Sequence, residues 1–179
     1  MKSQPEKPLI ILASARKQSD TRLFLDRVFK EVDHQLIDLL DYSIAPYDYT
    51  GKYPANDDFL NIVDQIHNHH TIAFATPVYW YSMSGPMKIF FDRFSDLITL
   101  HKPSGRKLKD KAIFLLCVGA EEKMPQGFEL PFSSTSAYLN MKFIAHIYYS
   151  VNVSKSEEEL NNNIFIFLEK IKESISKDL

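Results

Sequence analysis

The run Leu9-Ile10-Ile11-Leu12-Ala13 decides the fold of this chain. A short, continuous apolar stretch of this kind is typical of a strand that is buried on both faces. Asp20 then marks the N-cap of a predicted helix. Apolar residues follow it at helical spacing, namely Leu25, Val28, Phe29 and Val32. A buried strand that leads into an amphipathic helix is the repeating unit of an α/β protein.

The same unit recurs along the chain. Four further apolar runs predict strands at residues 35–39, 71–76, 112–118 and 143–151. Helices are predicted after a cap at Asn56 or Asp57, after Ser84 or Gly85 with Pro86 in the first turn, at residues 133–141, and from Ser156 onward. The helix that begins at Pro86 is expected to bury a face of Met87, Phe90, Phe91, Phe94 and Leu97. Irregular loops are predicted at residues 41–55, 102–111 and 119–132.

This alternation predicts one α/β domain, residues 1–179, with a parallel five-stranded sheet between two layers of helices. Such sheets most often have the strand order 2-1-3-4-5. They bind ligands beyond the carboxyl ends of the strands, where the order reverses between strands 1 and 3. The loops after Ala13, Thr76 and Val118 are therefore the expected functional loops.

Composition limits the possible partners and compartments. The net charge of −2 over 179 residues favours neither a nucleic-acid nor a membrane partner. The one cysteine, Cys117, excludes an internal disulfide, and its apolar strand predicts a buried small side chain rather than a nucleophile. No apolar run reaches the roughly twenty residues that a bilayer requires. The first residues lack an apolar signal core, so the cytoplasm is the expected location.

The loop after the first strand carries groups that suit a phosphate. It reads Ser14-Ala15-Arg16-Lys17-Gln18-Ser19-Asp20-Thr21 and enters a helix. A helix N-terminus offers backbone N–H groups and a favourable dipole to an anion. Ser14, Ser19 and Thr21 can add hydroxyls, and Arg16 can add a charge-assisted contact. The alternative is an ordinary polar turn with a helix cap.

The loop after the third strand is the most informative stretch. Three consecutive aromatics, Tyr79-Trp80-Tyr81, follow Thr76-Pro77-Val78 at a strand end, outside the expected core. Flat side chains can cover a flat heterocycle by stacking, and backbone groups in a turn can bond to its nitrogens and carbonyls. The alternative is a hydrophobic loop tucked under a neighbour or into a dimer interface.

Together the two loops resemble the flavodoxin-like superfamily of NAD(P)H-dependent FMN reductases and quinone reductases. The pattern Ser14-x-Arg16-x-x-Ser19-x-Thr21 is similar to the family's FMN phosphate loop. The stretch Thr76-Pro77-Val78-Tyr79-Trp80-x-Ser82-Met83-Ser84-Gly85-x-Met87-Lys88-x-Phe90-x-Asp92-Arg93 is similar to its flavin-ring loop and the following helix. Ala13 stands where the family usually has glycine. The third loop, Gly119-Ala120-Glu121-Glu122, is more acidic than an anionic nicotinamide cofactor favours.

The resemblance implies a flavodoxin-like three-layer fold, FMN as the cofactor and NAD(P)H as the co-substrate. The residues that it assigns to the FMN phosphate are Ser14, Arg16, Ser19 and Thr21. Those that it assigns to the flavin ring, many through their main chain, are Pro77, Val78, Tyr79, Trp80, Ser82 and Met83. Gly119 and Glu121 would flank the ring from the third loop. The acceptor would be a quinone, free flavin or another small molecule, and no catalytic acid or base is required. The resemblance also implies a homodimer whose partner chain helps to wall the flavin site.

Two other functions stay open. A flavodoxin-type electron carrier would bind FMN without NAD(P)H, but such carriers are usually strongly acidic and the net charge here is −2. A flavin-binding regulator without turnover fits the acidic third loop.

Two further groups of residues could suggest binding sites. His67, His69 and His70 could suggest a metal, but a polar helix terminus is the better interpretation. The basic residues of the 102–111 loop are predicted to be a solvated surface, namely Lys102, Arg106, Lys107, Lys109 and Lys111.

Overall fold

The computed structural model describes residues 7–153 and 155–176. Within them, a parallel sheet has the order β2-β1-β3-β4-β5, which confirms the predicted topology. Its strands are β1 (Leu9–Leu12), β2 (Gln35–Asp38), β3 (Thr71–Pro77), β4 (Ala112–Gly119) and β5 (Lys142–Ser150). The helices are α1 (Asp20–Val28), α2 (Phe59–His67), α3 (Gly85–Asp92), α4 (Phe94–Thr99), α5 (Lys102–Arg106), α6 (Leu130–Tyr138) and α7 (Glu157–Ser176).

The core lies in two layers, one on each face of the sheet. Successive strand residues point to opposite faces, so Leu9 and Ile11 join one apolar cluster while Ile10 and Leu12 join the other. The first cluster is covered by α2, α3, α4 and α6, and the second by α1 and α7. Strands β1, β3 and β4 are buried along their whole length, as a sheet covered on both faces requires.

Three helix starts differ from the prediction. Helix α1 begins one residue earlier than predicted, because the Ser19 hydroxyl, and not Asp20, caps it by accepting the Arg22 N–H at 3.2 Å. Helix α2 has Asp58 as its N-cap residue, not Asn56 or Asp57. Helix α6 covers Leu130–Tyr138 rather than 133–141, because Pro131 sits in its first turn, where a missing N–H costs nothing.

Two segments have a different organisation from the one expected. The predicted face from Met87 to Leu97 is buried as expected, but it belongs to two helices that meet at Arg93. The 102–111 loop contains α5, where a β-carbon on Gly105 would lie 2.2 Å from the Leu97 carbonyl oxygen. The prediction of a fully solvated basic loop is wrong at Lys111, which is buried and donates to the His69 carbonyl at 2.6 Å.

Cys117, His67 and His69 have the surroundings that are expected of structural residues. Cys117 is fully buried in β4, and burial raises the pKa of its thiol far above the usual range. His67 contacts the Ser104 carbonyl oxygen at 3.0 Å, and His69 contacts Gln35 Oε1 at 3.0 Å. The described residues contain no cluster of three or more metal-ligating side chains. Every helix in the same residues is too short or too polar to cross a bilayer.

Candidate functional site

Three loops leave the sheet at one edge, at the carboxyl ends of β1, β3 and β4. The Ala13 N–H donates to the Ala75 carbonyl at 2.9 Å, and the Val78 N–H donates to the Val118 carbonyl at 2.7 Å. These bonds continue the strand pairing by one residue and bring the starts of the loops side by side. The site predicted between strands 1 and 3 is therefore a single continuous edge with the third loop beside it.

The first loop, residues 14–21, holds two buried hydroxyls whose hydrogen-bonding capacity is unused. Among the described residues, Ser14 Oγ and Thr21 Oγ1 are buried side-chain atoms without a hydrogen-bond partner. Such an orphaned polar group costs about 1–3 kcal/mol of stability. Ser14 begins the loop and Thr21 lies in the first turn of α1, where an anion is stabilised by the helix dipole. Two orphaned hydroxyls at a helix N-terminus are suited to bind an oxyanion.

The two cations of this loop differ in their surroundings. Lys17 Nζ lies 3.1 Å from Asp38 and 2.5 Å from Asp41, at the end of β2. Desolvation opposes the charged form, but hydrogen bonds to these carboxylates and their charges raise the pKa of Lys17 above its usual value. Arg16 is 69% exposed and has one weak contact, at 3.4 Å, with Asp20. Arg16 is thus the cation that can turn toward a ligand, whereas Lys17 ties the loop to β2.

The second loop turns sharply at Trp80 and Tyr81. Tyr79 and Ser82 exchange two backbone hydrogen bonds of 2.8 and 3.0 Å, which closes a two-residue hairpin. Trp80 and Tyr81 have φ of 48° and 65°, a left-handed conformation that bulky residues rarely adopt. Trp80 is nevertheless 94% exposed. Backbone strain combined with an exposed aromatic ring is typical of a ligand-binding position.

Behind this turn, Met83 and Ser84 are buried. The Met83 side chain packs in the first core cluster, which leaves its main chain for any ligand contact. The Ser84 hydroxyl donates to the Ala13 carbonyl at 2.8 Å and accepts the Met87 N–H at 3.3 Å. Ser84 also accepts a hydroxyl contact from Thr76 at 3.3 Å. Ser84 therefore joins the second loop to the start of the first.

The third loop, residues 120–129, starts where the backbone has no room for a side chain. A β-carbon on Gly119 would lie 2.7 Å from the Tyr148 hydroxyl and 3.2 Å from the Val78 β-carbon. The Tyr148 hydroxyl donates to the Glu121 carbonyl at 2.7 Å, and burial raises the pKa of this phenol above its usual value. The Glu121 side chain itself is exposed. Tyr148 thus fixes the main chain of this loop.

A buried ion-pair cluster lies under the 41–55 loop. Arg93 pairs with Asp57 at 2.8 Å and with Asp96 at 2.7 Å, and its guanidinium lies 3.5 Å from the centre of the Tyr53 ring. Burial lowers the pKa of Arg93, but its hydrogen bonds to the two carboxylates raise the value above its usual one. Arg93 also donates to the Ala45 carbonyl at 3.0 Å, which anchors the loop.

Comparison with known proteins decides the family. Residues 7–155 match the family profile described as NADPH-dependent FMN reductase. The chain belongs to the NADPH-dependent FMN reductase family. The Bacillus subtilis protein YwqN, which is named as an NAD(P)H-dependent FMN-containing oxidoreductase, is 28% identical over 149 residues. The aligned region covers 77% of this chain and 81% of YwqN.

Solved structures confirm the flavodoxin-like fold of this reductase. The Trp repressor binding protein of Bacillus subtilis superposes with a TM-score of 0.67 at 22% identity, over 89% of this chain and 96% of that one. General stress protein 14 of Treponema denticola, solved in complex with FMN, superposes with a TM-score of 0.64 at 17% identity, over 94% and 99% of the two chains. FMN and an NAD(P)H-linked oxidoreduction are thus the family's chemistry.

The residues at the sheet edge fit FMN. The orphaned hydroxyls of Ser14 and Thr21 suit its phosphate, with Arg16 at the rim and Ser19 capping the helix. The absence of a β-carbon at Gly119 leaves the end of β4 close to Val78, so a flat ring can meet main chain from both loops. The predicted ring residues 77–83 form one turn, with Trp80 exposed and Met83 in the core.

The structural roles of three residues were not predicted from the sequence. Ser84 is expected from the sequence as a possible helix cap and as part of the flavin-ring stretch, but its bond to the first loop is not. Tyr148 lies in an apolar-aromatic strand that gave no reason to single it out. Lys17 and its acidic partners are separated by more than twenty positions, and sequence spacing alone does not pair them.

Proposed function

We propose that this reductase passes electrons from NAD(P)H through FMN to a quinone, free flavin or another small acceptor. The observation that carries the proposal is the pair of orphaned buried hydroxyls, Ser14 and Thr21, beside a strained and exposed aromatic turn. The first feature suits a phosphate, and the second suits a flat ring system. Their position at the switch point of the sheet supports a shared ligand.

The protein's own contribution is binding and orientation. When bound, FMN supplies the hydride acceptor and the electron donor. Ser14, Arg16, Ser19 and Thr21 would hold its phosphate, and the main chain around Val78 and Gly119 would face its ring. Cys117 takes no part, because its thiol is buried and its raised pKa keeps it protonated.

A non-catalytic flavin binder is the second candidate, because the third loop is acidic. Glu121 and Glu122 are both exposed at the mouth of the site, where they would repel an anionic nicotinamide nucleotide. Lys123 is exposed next to them and partly compensates for their charge.

The experiment that separates the two candidates is a visible spectrum of the protein after FMN loading and removal of excess. Anaerobic NADPH or NADH should bleach the flavin bands, and a water-soluble benzoquinone should restore them. Flavin bands that persist after the addition of either nucleotide would favour the non-catalytic flavin binder. A protein that shows no affinity for FMN in a titration would contradict the site itself.

We further propose that the chain works as a homodimer whose second copy covers the exposed turn. Trp80 and Tyr81 are large and exposed, and aromatic residues are enriched at the centre of protein interfaces. Sedimentation equilibrium with FMN should show a dimer, and Trp80→Ala should weaken it. A monomer at all concentrations would contradict the proposal.

A further inference from the structure

Among the residues that the structure describes, Ser84 makes the only buried side-chain hydrogen bond that joins the two loops of the FMN site. Its side chain is completely buried. The hydroxyl donates to the Ala13 carbonyl at 2.8 Å, across 71 sequence positions. The same oxygen accepts the Met87 N–H at 3.3 Å and a contact from the Thr76 hydroxyl at 3.3 Å. Every hydrogen-bonding position of this hydroxyl is therefore used.

The Ala13 carbonyl has a particular place in the phosphate loop. It belongs to the peptide group that joins Ala13 to Ser14. In a trans peptide the N–H points away from the C=O, so a bond that fixes the carbonyl also fixes the direction of the next N–H. That N–H belongs to Ser14, whose hydroxyl is one of the two orphaned groups. Ser84 thus orients the first donor group of the loop.

The support behind Ser84 is rigid. The Ser84 N–H donates to Thr76 Oγ1 at 3.1 Å, and Thr76 is a fully buried residue of β3. The preceding peptide, Leu12–Ala13, is held by its own N–H, which donates to the Ala75 carbonyl of β3 at 2.9 Å. The Ala13–Ser14 peptide is therefore fixed through its carbonyl by Ser84, next to a peptide that β3 already holds. The ring loop, in contrast, is held independently of Ser84 by the Tyr79–Ser82 hairpin and by the Val78–Val118 bond.

We propose that Ser84 is a positioning residue for the FMN phosphate. It acts through the Ala13–Ser14 peptide and couples the ring loop to the phosphate loop. The proposal rests on the assignment of the phosphate to the first loop. It predicts that removing the hydroxyl weakens the contribution of the phosphate to affinity more than that of the ring.

The test compares FMN with riboflavin, which has the same ring and no phosphate. Trp80, the one tryptophan of the chain, lies in the ring loop and reports binding of either ligand by fluorescence quenching. Ser84→Ala should lower the FMN affinity by about tenfold, the loss expected if the Ser14 N–H no longer points at the phosphate, and change the riboflavin affinity by less than about threefold. Ser84→Thr, which keeps the hydroxyl, should restore the preference for FMN.

Two controls separate positioning from general destabilisation. Ser174→Ala removes a buried hydroxyl that shares a hydrogen bond of 2.9 Å with the Thr71 hydroxyl, at the amino end of β3 and therefore at the opposite edge of the sheet from the site. It should leave both affinities unchanged. If Ser84→Ala does not fold in a urea titration, Thr76→Val takes its place, with a smaller change in the same direction expected.

Each outcome has one meaning. Equal losses of FMN and riboflavin affinity in Ser84→Ala, or no loss of either, would overturn the positioning role while the phosphate site stands. A wild-type protein that binds FMN and riboflavin equally would instead overturn the phosphate assignment, and the role of Ser84 with it.

Discussion

The guanidinium of Arg93 donates to Asp57 at 2.8 Å, although 36 positions separate the two residues and both side chains are buried. The Asp57 carboxylate also accepts the N–H groups of Ala45 at 2.8 Å and Phe59 at 3.3 Å. One ion pair thus joins Ala45 of the 41–55 loop, the start of α2 and the junction between α3 and α4.

Arg93→Met should destabilise the protein by about 3–5 kcal/mol, because it leaves the carboxylates of Asp57 and Asp96 buried without their cation. Urea unfolding followed by circular dichroism measures the change. The control is Arg22→Met, which removes an exposed pair with Asp26 at 2.8 Å and should cost less than about 1 kcal/mol. Equal costs for the two variants would show that the buried pair has no special role.

The same cluster predicts a loss of stability in acid. Burial raises the pKa of Asp57, but hydrogen bonds and charge from Arg93, with the N–H groups of Ala45 and Phe59, hold it below its usual value of 3.8. A carboxylate with a lowered folded pKa stabilises the protein above its unfolded pKa and loses that contribution as pH falls through the folded value. Stability should therefore drop below about pH 4.

The comparison that isolates this effect is the pH dependence of unfolding in Arg93→Met. Without the cation, burial dominates and raises the pKa of the carboxyls, so protonation should stabilise this variant relative to wild type as pH falls. The difference in unfolding free energy between the two proteins should narrow from pH 7 to pH 3. A constant difference across this range would contradict the ion-pair account.

Arg16→Ala should weaken FMN binding by about 1.5 kcal/mol, the lower end of the range for a charged hydrogen bond, because Arg16 is exposed and screened. Fluorescence titration of Trp80 measures it, and riboflavin serves as the ligand without the phosphate. The loss should shrink as salt is added. An unchanged FMN affinity at low salt would remove Arg16 from the phosphate site.

Gly119→Ala should lower both stability and FMN affinity, because the new methyl group would meet the Tyr148 hydroxyl at 2.7 Å and displace the contact with Glu121. The expected cost is about 1–3 kcal/mol, typical of overpacking. Gly85→Ala is the matched control. A β-carbon on Gly85 would meet no atom within 4 Å, so this variant should be neutral. Thermal unfolding and FMN titration together give the result, and a neutral Gly119→Ala would show that the close approach is easily relieved.

The strands were predictable because each is a continuous apolar run. Residues 9–12 of β1 and 112–119 of β4 are buried on both faces, so hydrophobicity alone marks them. Helix α5 was not predictable, because Pro103 and Gly105 in five residues indicate a loop. It forms because Gly105 allows close contact with the Leu97 backbone. Tertiary contact overrides local propensity in this segment.

The candidate site also combines features that the sequence predicts with features that it does not. The polar loop of Ser14, Ser19 and Thr21 was visible from residue types at a helix start, and the aromatic turn from its composition. The burial of Lys111 and the bond from Tyr148 to Glu121 connect distant segments, and no local pattern encodes them. The orphaned hydroxyls could be recognised only after the fold placed Ser14 and Thr21 out of reach of other partners.

The central claim is that FMN binds with its phosphate at the first loop and its ring at the second. A crystal structure of the protein with FMN tests it most directly. The account predicts phosphate oxygens within hydrogen-bonding distance of Ser14 Oγ and Thr21 Oγ1, and ring atoms against the main chain of residues 77–83. A phosphate bound away from these two hydroxyls, with both still unpartnered, would contradict it.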